Sequence, residues 1–266
     1  MAEAQIVDVD SLTLRSGAQM PKLGLGLWKL DKAVCADVVY TAIKKGYRLL
    51  DGACDYGNEV EVGQGIARAI AEGIVTREDL FIVSKLWNSF HRPEHVELAC
   101  RKSLSDLGVE YLDMYFIHFP IAIQFVPIEQ KYPPEWINND PTLVGDNPRM
   151  IIDRGVTYQQ TYQAMEGLKR AGLIKHIGIS NVGTSMVREV MAYATEKPDS
   201  LQVEMHPFLS QVRLLRMAQE EGMQVMAYSN FGAISYVPLG VATEDMDLLH
   251  HSAINAIAAA KRKTSA

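Results

Sequence analysis

From Leu23 onward the chain alternates short, nearly all-apolar runs with longer stretches whose apolar residues recur at the three-to-four spacing of an amphipathic helix. The pattern predicts strands at Leu23–Trp28, Arg48–Asp51, Leu80–Leu86, Tyr111–His118, Ile174–Ser180, Leu201–Glu204 and Gln224–Ser229. Helices are predicted near Lys32–Lys45, Glu59–Glu72, Pro93–Leu107, Thr157–Ala171, Thr184–Ala194, Gln211–Glu221 and Ser252–Lys261, with Gly46 as the stop of the first. Strands that are apolar nearly throughout belong to parallel sheets covered on both faces. The expected fold is therefore α/β, a (β/α)8 TIM barrel forming a single domain over residues 1–266. Before it, residues 11–21 read as a small hairpin turning at Ser16-Gly17 and plugging the bottom of the barrel. Only seven strands are predicted, so the barrel is expected to be truncated after its seventh βα unit, with unpaired edges on the first and seventh strands.

Three consecutive apolar runs end on an ionisable residue: Asp51, Lys85 and His118, with Tyr56 five residues beyond the first. A charge at the end of a buried strand is costly unless it has partners or faces a cleft. In a β/α barrel these ends surround one mouth, where catalytic groups of that fold sit. Taken singly, Asp51 could cap a helix, Lys85 could snorkel, His118 could be a satisfied core histidine and Tyr56 could be packing. Taken together they point to one site. An ammonium beside Asp51 and Tyr56 is expected to favour phenolate and lower the proton affinity of Tyr56, making it a general acid for a developing alkoxide, with His118 orienting a carbonyl oxygen. No side chain supplies a reducing equivalent, so a reductase needs a nicotinamide cofactor. The Rossmann fingerprint is absent: Gly24-Leu-Gly-Leu-Trp-Lys29 lacks its third glycine, and Gly63-Gln-Gly falls inside a predicted helix.

At 266 residues, 48% of them hydrophobic and 22% charged, the composition is that of a soluble enzyme, and a formal charge of −6 supplies no basic field for nucleic acid or anionic membrane. Cys35, Cys54 and Cys100 have no paired spacing, and no signal peptide or spanning apolar run is present, so a cytoplasmic protein with reduced thiols is expected. The histidines do not fall at metal-ligand spacing, and no metal is expected. The long, proline-rich connection from Phe119 to Gly155 leaves the C-terminal face and is expected to serve as a lid or pocket wall.

The strings Asp51-Gly-Ala-Cys-Asp-Tyr56-Gly-Asn-Glu59, Ser84-Lys85-Leu-Trp87-Asn88 and Ile117-His118-Phe-Pro120 resemble those of the aldo-keto reductases. The stretch Phe119 to Pro134 is most similar to the xylose and aldose reductase branch. The resemblance implies an NADPH-dependent reductase of aldehydes or aldoses, with NADH as a second possible cofactor, acting as a monomer or homodimer. It implies catalytic roles for Asp51, Tyr56, Lys85 and His118. It assigns Ser180, Asn181 and Gln202 to the nicotinamide carboxamide, Tyr228 to the nicotinamide face, Lys29 to the pyrophosphate, and Ser229 and Phe231 to a cofactor loop running from Asn230 to Leu249. Trp28, Trp87 and Phe119 would line the substrate mouth, and Asp55 would bind sugar hydroxyls. By spacing alone, Ser180 and Asn181 are equally good helix caps, Tyr228 an equally good core residue and Asp55 an equally good turn residue.

The chain departs from the family in two ways. Pro238 stands where a ribose-binding acidic residue is common, and the last strand, the Ile-Pro-Lys-Ser segment and the arginine that hold an adenosine 2′-phosphate have no counterpart. Two rival readings stay open: a truncated, cofactor-deficient member with a binding or regulatory role, and a Schiff-base lyase using Lys85.

Overall fold

The computed structural model describes residues 10–243 and 247–265. A hairpin, β1 (Ser11–Thr13) and β2 (Gln19–Pro21), precedes the main sheet, with Gly17 at φ 90° making the turn. Then follow β3 (Gly24–Gly26), α1 (Lys32–Lys44), β4 (Leu49–Asp51), α2 (Glu59–Ala71), β5 (Phe81–Leu86), α3 (Pro93–Leu107) and β6 (Leu112–Ile117). The second half contains a short α4 (Pro141–Val144), α5 (Tyr158–Arg170), β7 (Ile174–Ser180), α6 (Thr184–Tyr193), β8 (Ser200–Glu204), α7 (Val212–Glu220), β9 (Gln224–Tyr228) and α8 (Ser252–Lys261).

Local chemistry sets these boundaries. Asp31 caps α1 by accepting from Ala33 N. Thr157 and Gln160 form a reciprocal capping box at the start of α5. Pro93 opens α3, and Gly108 closes it at φ 65°. The strand expected at Leu23–Trp28 is reduced to Gly24–Gly26, which among the described residues pairs with β4 alone.

Among the described residues, β3 to β9 form one parallel seven-stranded sheet in sequence order, so β3 and β9 each keep one unpaired edge. The sheet curls: Gln202 Nε2 on β8 donates to Asp51 Oδ1 on β4 across the interior at 3.2 Å. Side chains alternate between two cores. Leu49, Phe81, Val83, Met114 and Phe116 point inward and pack with Leu14 and Met20 of the hairpin, which closes the bottom of the barrel. Leu50, Ile82, Tyr115, Ile117, Ile177 and Ile179 point outward into the larger sheet–helix core. Gly178 lies on the inward set because a Cβ there would meet the Phe116 ring at 2.2 Å. The period of two carries the inward set up each strand to Asp51, Lys85, His118, Ser180, Gln202 and Tyr228. Each of these residues is reached from an inward position by steps of two, buried for all but Tyr228, whose predecessor Met226 is partly buried, so the barrel mouth collects them without any special bend.

Candidate active site

The mouth opens into a cavity of about 520 Å³. Asp51, Tyr56, Trp87 and His118 form one wall, and Gln202, Tyr228 and Ser229 form the opposite one. Lys85 is fully buried beneath it. Its Nζ donates to Asp51 Oδ1 at 2.9 Å, Gly52 O at 2.8 Å and Tyr56 OH at 3.1 Å. An ammonium has three donors, and all three are used. Because Tyr56 accepts from Lys85, its own proton is left for the cavity.

Burial opposes the charge on Lys85, but Asp51 and the hydrogen bonds outweigh it and hold the lysine above its ordinary value. The expected lowering of the Tyr56 proton affinity does not occur. Burial raises the Tyr56 phenol, the ammonium of Lys85 opposes that shift, and burial wins. Tyr56 is thus a protonated donor across the working pH range, an acid held in reserve rather than a phenolate. Burial also lowers His118, with Asp55 pulling the other way, so the imidazole is neutral at pH 7.

Asp55 does not stand alone at the mouth. Its Oδ1 lies 3.0 Å from His118 Nδ1, although the approach is too oblique for either atom to make a well-directed hydrogen bond. Asp55, expected to bind sugar hydroxyls, lines the cavity with its carboxylate beside the His118 ring. Trp87 is buried and stacks edgewise on His118 at 5.4 Å and on Phe119 at 6.0 Å. Trp28 is 39% exposed at the rim and faces Tyr236 at 5.5 Å.

On the opposite wall, Asn181 Nδ2 donates to His118 O at 2.9 Å and to Ser180 Oγ at 3.1 Å, while Tyr228 OH donates to Asn181 Oδ1 at 2.7 Å. Ser180 lies below the surface and donates to Gln202 O. Lys29 extends over the Trp28 ring, its Nζ 4.5 Å from the centroid. Phe231 is half exposed on the cavity rim beside Gly232 and Leu239. Of the expected loop from Asn230 to Leu249, residues 244–246 lie outside the described residues.

Backbone strain gathers here too. Lys29, Asn181 and Ser229, each at or just after a strand end, hold φ of 61°, 59° and 52°. Non-glycine residues in this region cost on the order of 1–3 kcal/mol and cluster at functional sites.

Three residues of the site carried no clear sequence signal. Asn58 is buried and clamps the β3–α1 connection by donating from Nδ2 to Leu27 O and Leu30 O. Glu59 is buried behind the tetrad, where it accepts from Ser84 Oγ at 2.6 Å, Ser103 Oγ at 2.9 Å and Tyr132 OH at 3.3 Å. Burial nevertheless pushes its carboxyl up to about 7. Trp136, from the Phe119 to Gly155 connection, stacks on Trp87 at 4.9 Å and on Phe119 at 5.0 Å and so joins the cavity wall. Its only signal in the sequence is a large aromatic inside a polar, proline-rich run.

No helix among the described residues is long and apolar enough to cross a membrane. Residues 22–246 match the model of the aldo/keto reductase family. A probable NAD(P)H-dependent D-xylose reductase of Aspergillus clavatus is 50% identical over 258 residues, covering 96% of this chain and 76% of that protein. The NAD(P)H-dependent D-xylose reductase of Aspergillus niger is 48% identical over 258 residues, 96% of this chain and 78% of its own length. Among solved structures, a Bombyx mori aldo-keto reductase in complex with NADP superposes with a TM-score of 0.80 at 32% identity, covering 97% of this chain and 78% of that one. With the family match spanning most of its length and half of its residues shared with a curated relative, the chain belongs to the aldo/keto reductase family.

Proposed function

We propose that the protein is an NADPH-dependent reductase of small aldehydes and aldoses, of the D-xylose reductase kind, built as one barrel domain, cytoplasmic, and monomeric or homodimeric. NADH serves as the second cofactor. The observation that carries this reading is the three-way bridge of Lys85 Nζ to Asp51, Gly52 and Tyr56 at the floor of an aromatic cavity. It leaves one phenolic proton facing the space where a carbonyl oxygen would lie.

The opposite wall fits a flat carboxamide-bearing ring. Tyr228 offers an aromatic face, and Asn181 and Gln202 offer side-chain amides in the same cavity. Asn181 and Gln202 would hold the nicotinamide carboxamide with Ser180 bracing them from below; Lys29, Ser229 and Phe231 would contact the rest of the cofactor. When bound there, a reduced nicotinamide supplies the hydride that no side chain can give.

The residues of this chain do the remainder. Trp28, Trp87 and Phe119 exclude water and pack the substrate's carbon chain, while Asp55 and His118 meet its oxygens. Tyr56 gives its proton to the carbonyl oxygen as negative charge develops there. Lys85, already hydrogen-bonded to the phenol oxygen, stabilises the phenolate that remains, and Asp51 keeps Lys85 charged in a site that burial would otherwise neutralise. The same pairing opposes a Schiff-base role for Lys85, which requires a neutral amine.

Oxidation of NADPH, followed by absorbance with D-xylose and with a small aldehyde, tests the proposal. Saturable, carbonyl-dependent oxidation is expected. Absence of turnover with both substrates, together with trapping of a substrate adduct on Lys85 by borohydride, would replace it with the lyase reading.

A further inference from the structure

Beside the catalytic cavity lies a second one of about 300 Å³, enclosed by the Phe119 to Gly155 connection and the turn after β5. The two share a wall, Trp136. The size is at the lower end of the range for small-molecule sites. Its lining contains buried polar groups that the protein leaves without partners.

Ser89 is 4% exposed and its Oγ has no hydrogen-bond partner. Asn138 is 8% exposed, and its Nδ2 also has none. The orientation of the Asn138 amide is fixed, because Asp140 N donates to its Oδ1 at 2.8 Å, so Nδ2 is the atom left over. Behind Ser89, Asn88 is fully buried with neither amide atom paired. A buried donor left unsatisfied costs about 1–3 kcal/mol, so such a cluster calls for a partner the chain does not provide.

The charges on the lining restrict what that partner is. Lys131 is neutralised by Glu135 at 2.7 Å, and Asp140 is engaged by Thr142 N and Oγ1 as the cap of α4. No unpaired cation is left to hold an anion, and among the described residues no group of three His, Cys, Asp or Glu is placed to hold a metal ion. What remains is the Ser89 hydroxyl, the side-chain amides of Asn138, Gln124, Gln130 and Asn139, and an indole wall with aliphatic neighbours. Hydroxyl groups on a carbon chain or ring meet all of these: oxygens for Asn138 and Ser89, and C–H faces for Trp136.

We infer that this cavity is a second binding site, distinct from the catalytic one, for a small neutral polyhydroxylated ligand such as a sugar alcohol. Trp136 carries its occupancy to the catalytic wall through the contacts with Trp87 and Phe119. The inference does not depend on the reductase reading, since the site would bind whether or not the barrel turns over.

The test is a xylitol titration of the full chain, followed by NMR at the Asn138 side-chain amide and the Ser89 backbone amide. Saturable shifts at both positions are expected, weakened about tenfold or more in Asn138→Leu, the loss of roughly one hydrogen bond's contribution. Ser89→Ala provides the same reading should the leucine variant fold poorly. Sulfate at equal concentration is expected to shift neither signal. Shifts that rise linearly without saturation, xylitol binding undiminished in a folded variant, or a sulfate response equal to that of xylitol would each overturn the assignment; the first would leave a merely hydrated cavity.

Discussion

The two sides of the barrel mouth are built differently. On the closed side, β5 and β6 are buried along their whole length and paired on both edges. On the open side, every residue of β9 is only half buried, β3 is shorter still, and among the described residues each has one unpaired edge. Lys85 and His118 project from the closed side, whereas Trp28, Lys29, Tyr228 and Ser229 stand at the ends of the open strands. A dry, fully paired wall is what keeps an ammonium charged and a phenol protonated with fixed partners. A half-exposed wall of aromatic and amide groups suits a large ligand that brings its own apolar surface. On the proposed assignment, the proton chemistry and the cofactor surface are separated by solvation as well as by position.

Removing the charge from the closed side is expected to have the largest effect. Lys85→Met leaves Asp51 with an uncompensated charge beside a buried pocket, a loss on the order of 3–5 kcal/mol. A fall in the urea midpoint of that size, alongside lost turnover, is the expected result; unchanged stability would mean that Asp51 is hydrated and the closed wall is not dry.

Ligand occupancy should act on the open side alone. At NADPH near 100 times its dissociation constant, the ligand stabilises the chain by about 2.7 kcal/mol. Hydrogen exchange at β9 and β3 should slow accordingly, while β5 and β6, already buried, change little by local opening. Protection confined to β5 and β6 would reverse the comparison.

Tyr228→Ala removes one aromatic face from the open wall and is expected to weaken NADPH binding by about twofold to tenfold, from roughly 0.5–1.5 kcal/mol of stacking. Titration by tryptophan quenching measures it. A larger loss of catalysis than of binding would place the tyrosine on the proton side instead.

The fourth effect is a pH dependence from Glu59. Its folded carboxyl is raised to about 7, above the unfolded value near 4.5. Stability from this group is fully present below about 4.5 and is lost as pH rises to 7, because the folded state there binds a proton that the unfolded state has released. The thermal midpoint should therefore fall by roughly 5–10 °C between pH 5 and pH 8 in the wild type, and by less in Glu59→Gln. Equal pH slopes would show that the carboxylate is solvated.

Much of the closed side was legible in the sequence. Three successive runs, apolar nearly throughout, end on Asp51, Lys85 and His118, and the period of two puts them on one face. The seven strands of the main sheet follow from the same runs. What was not legible depends on distance in the fold. The charge of Lys85 near Tyr56 could be foreseen from residue types, but the depth of burial that outweighs it could not. Asp55 meets His118, and Glu59 meets Tyr132 73 residues away, through contacts that no local pattern encodes. The left-handed backbone at Lys29, Asn181 and Ser229 breaks local preference at residues that favour it weakly or not at all, and only the packed mouth enforces it.

The division of labour between the two walls is tested most directly by Tyr56→Phe, with NADPH affinity and single-turnover reduction of D-xylose measured on the same sample. The predicted result is unchanged NADPH affinity within about twofold, with the reduction rate lower by about 10²–10⁴, the usual contribution of a positioned acid. Reduction at the wild-type rate, or loss of NADPH binding in step with loss of rate, would contradict it.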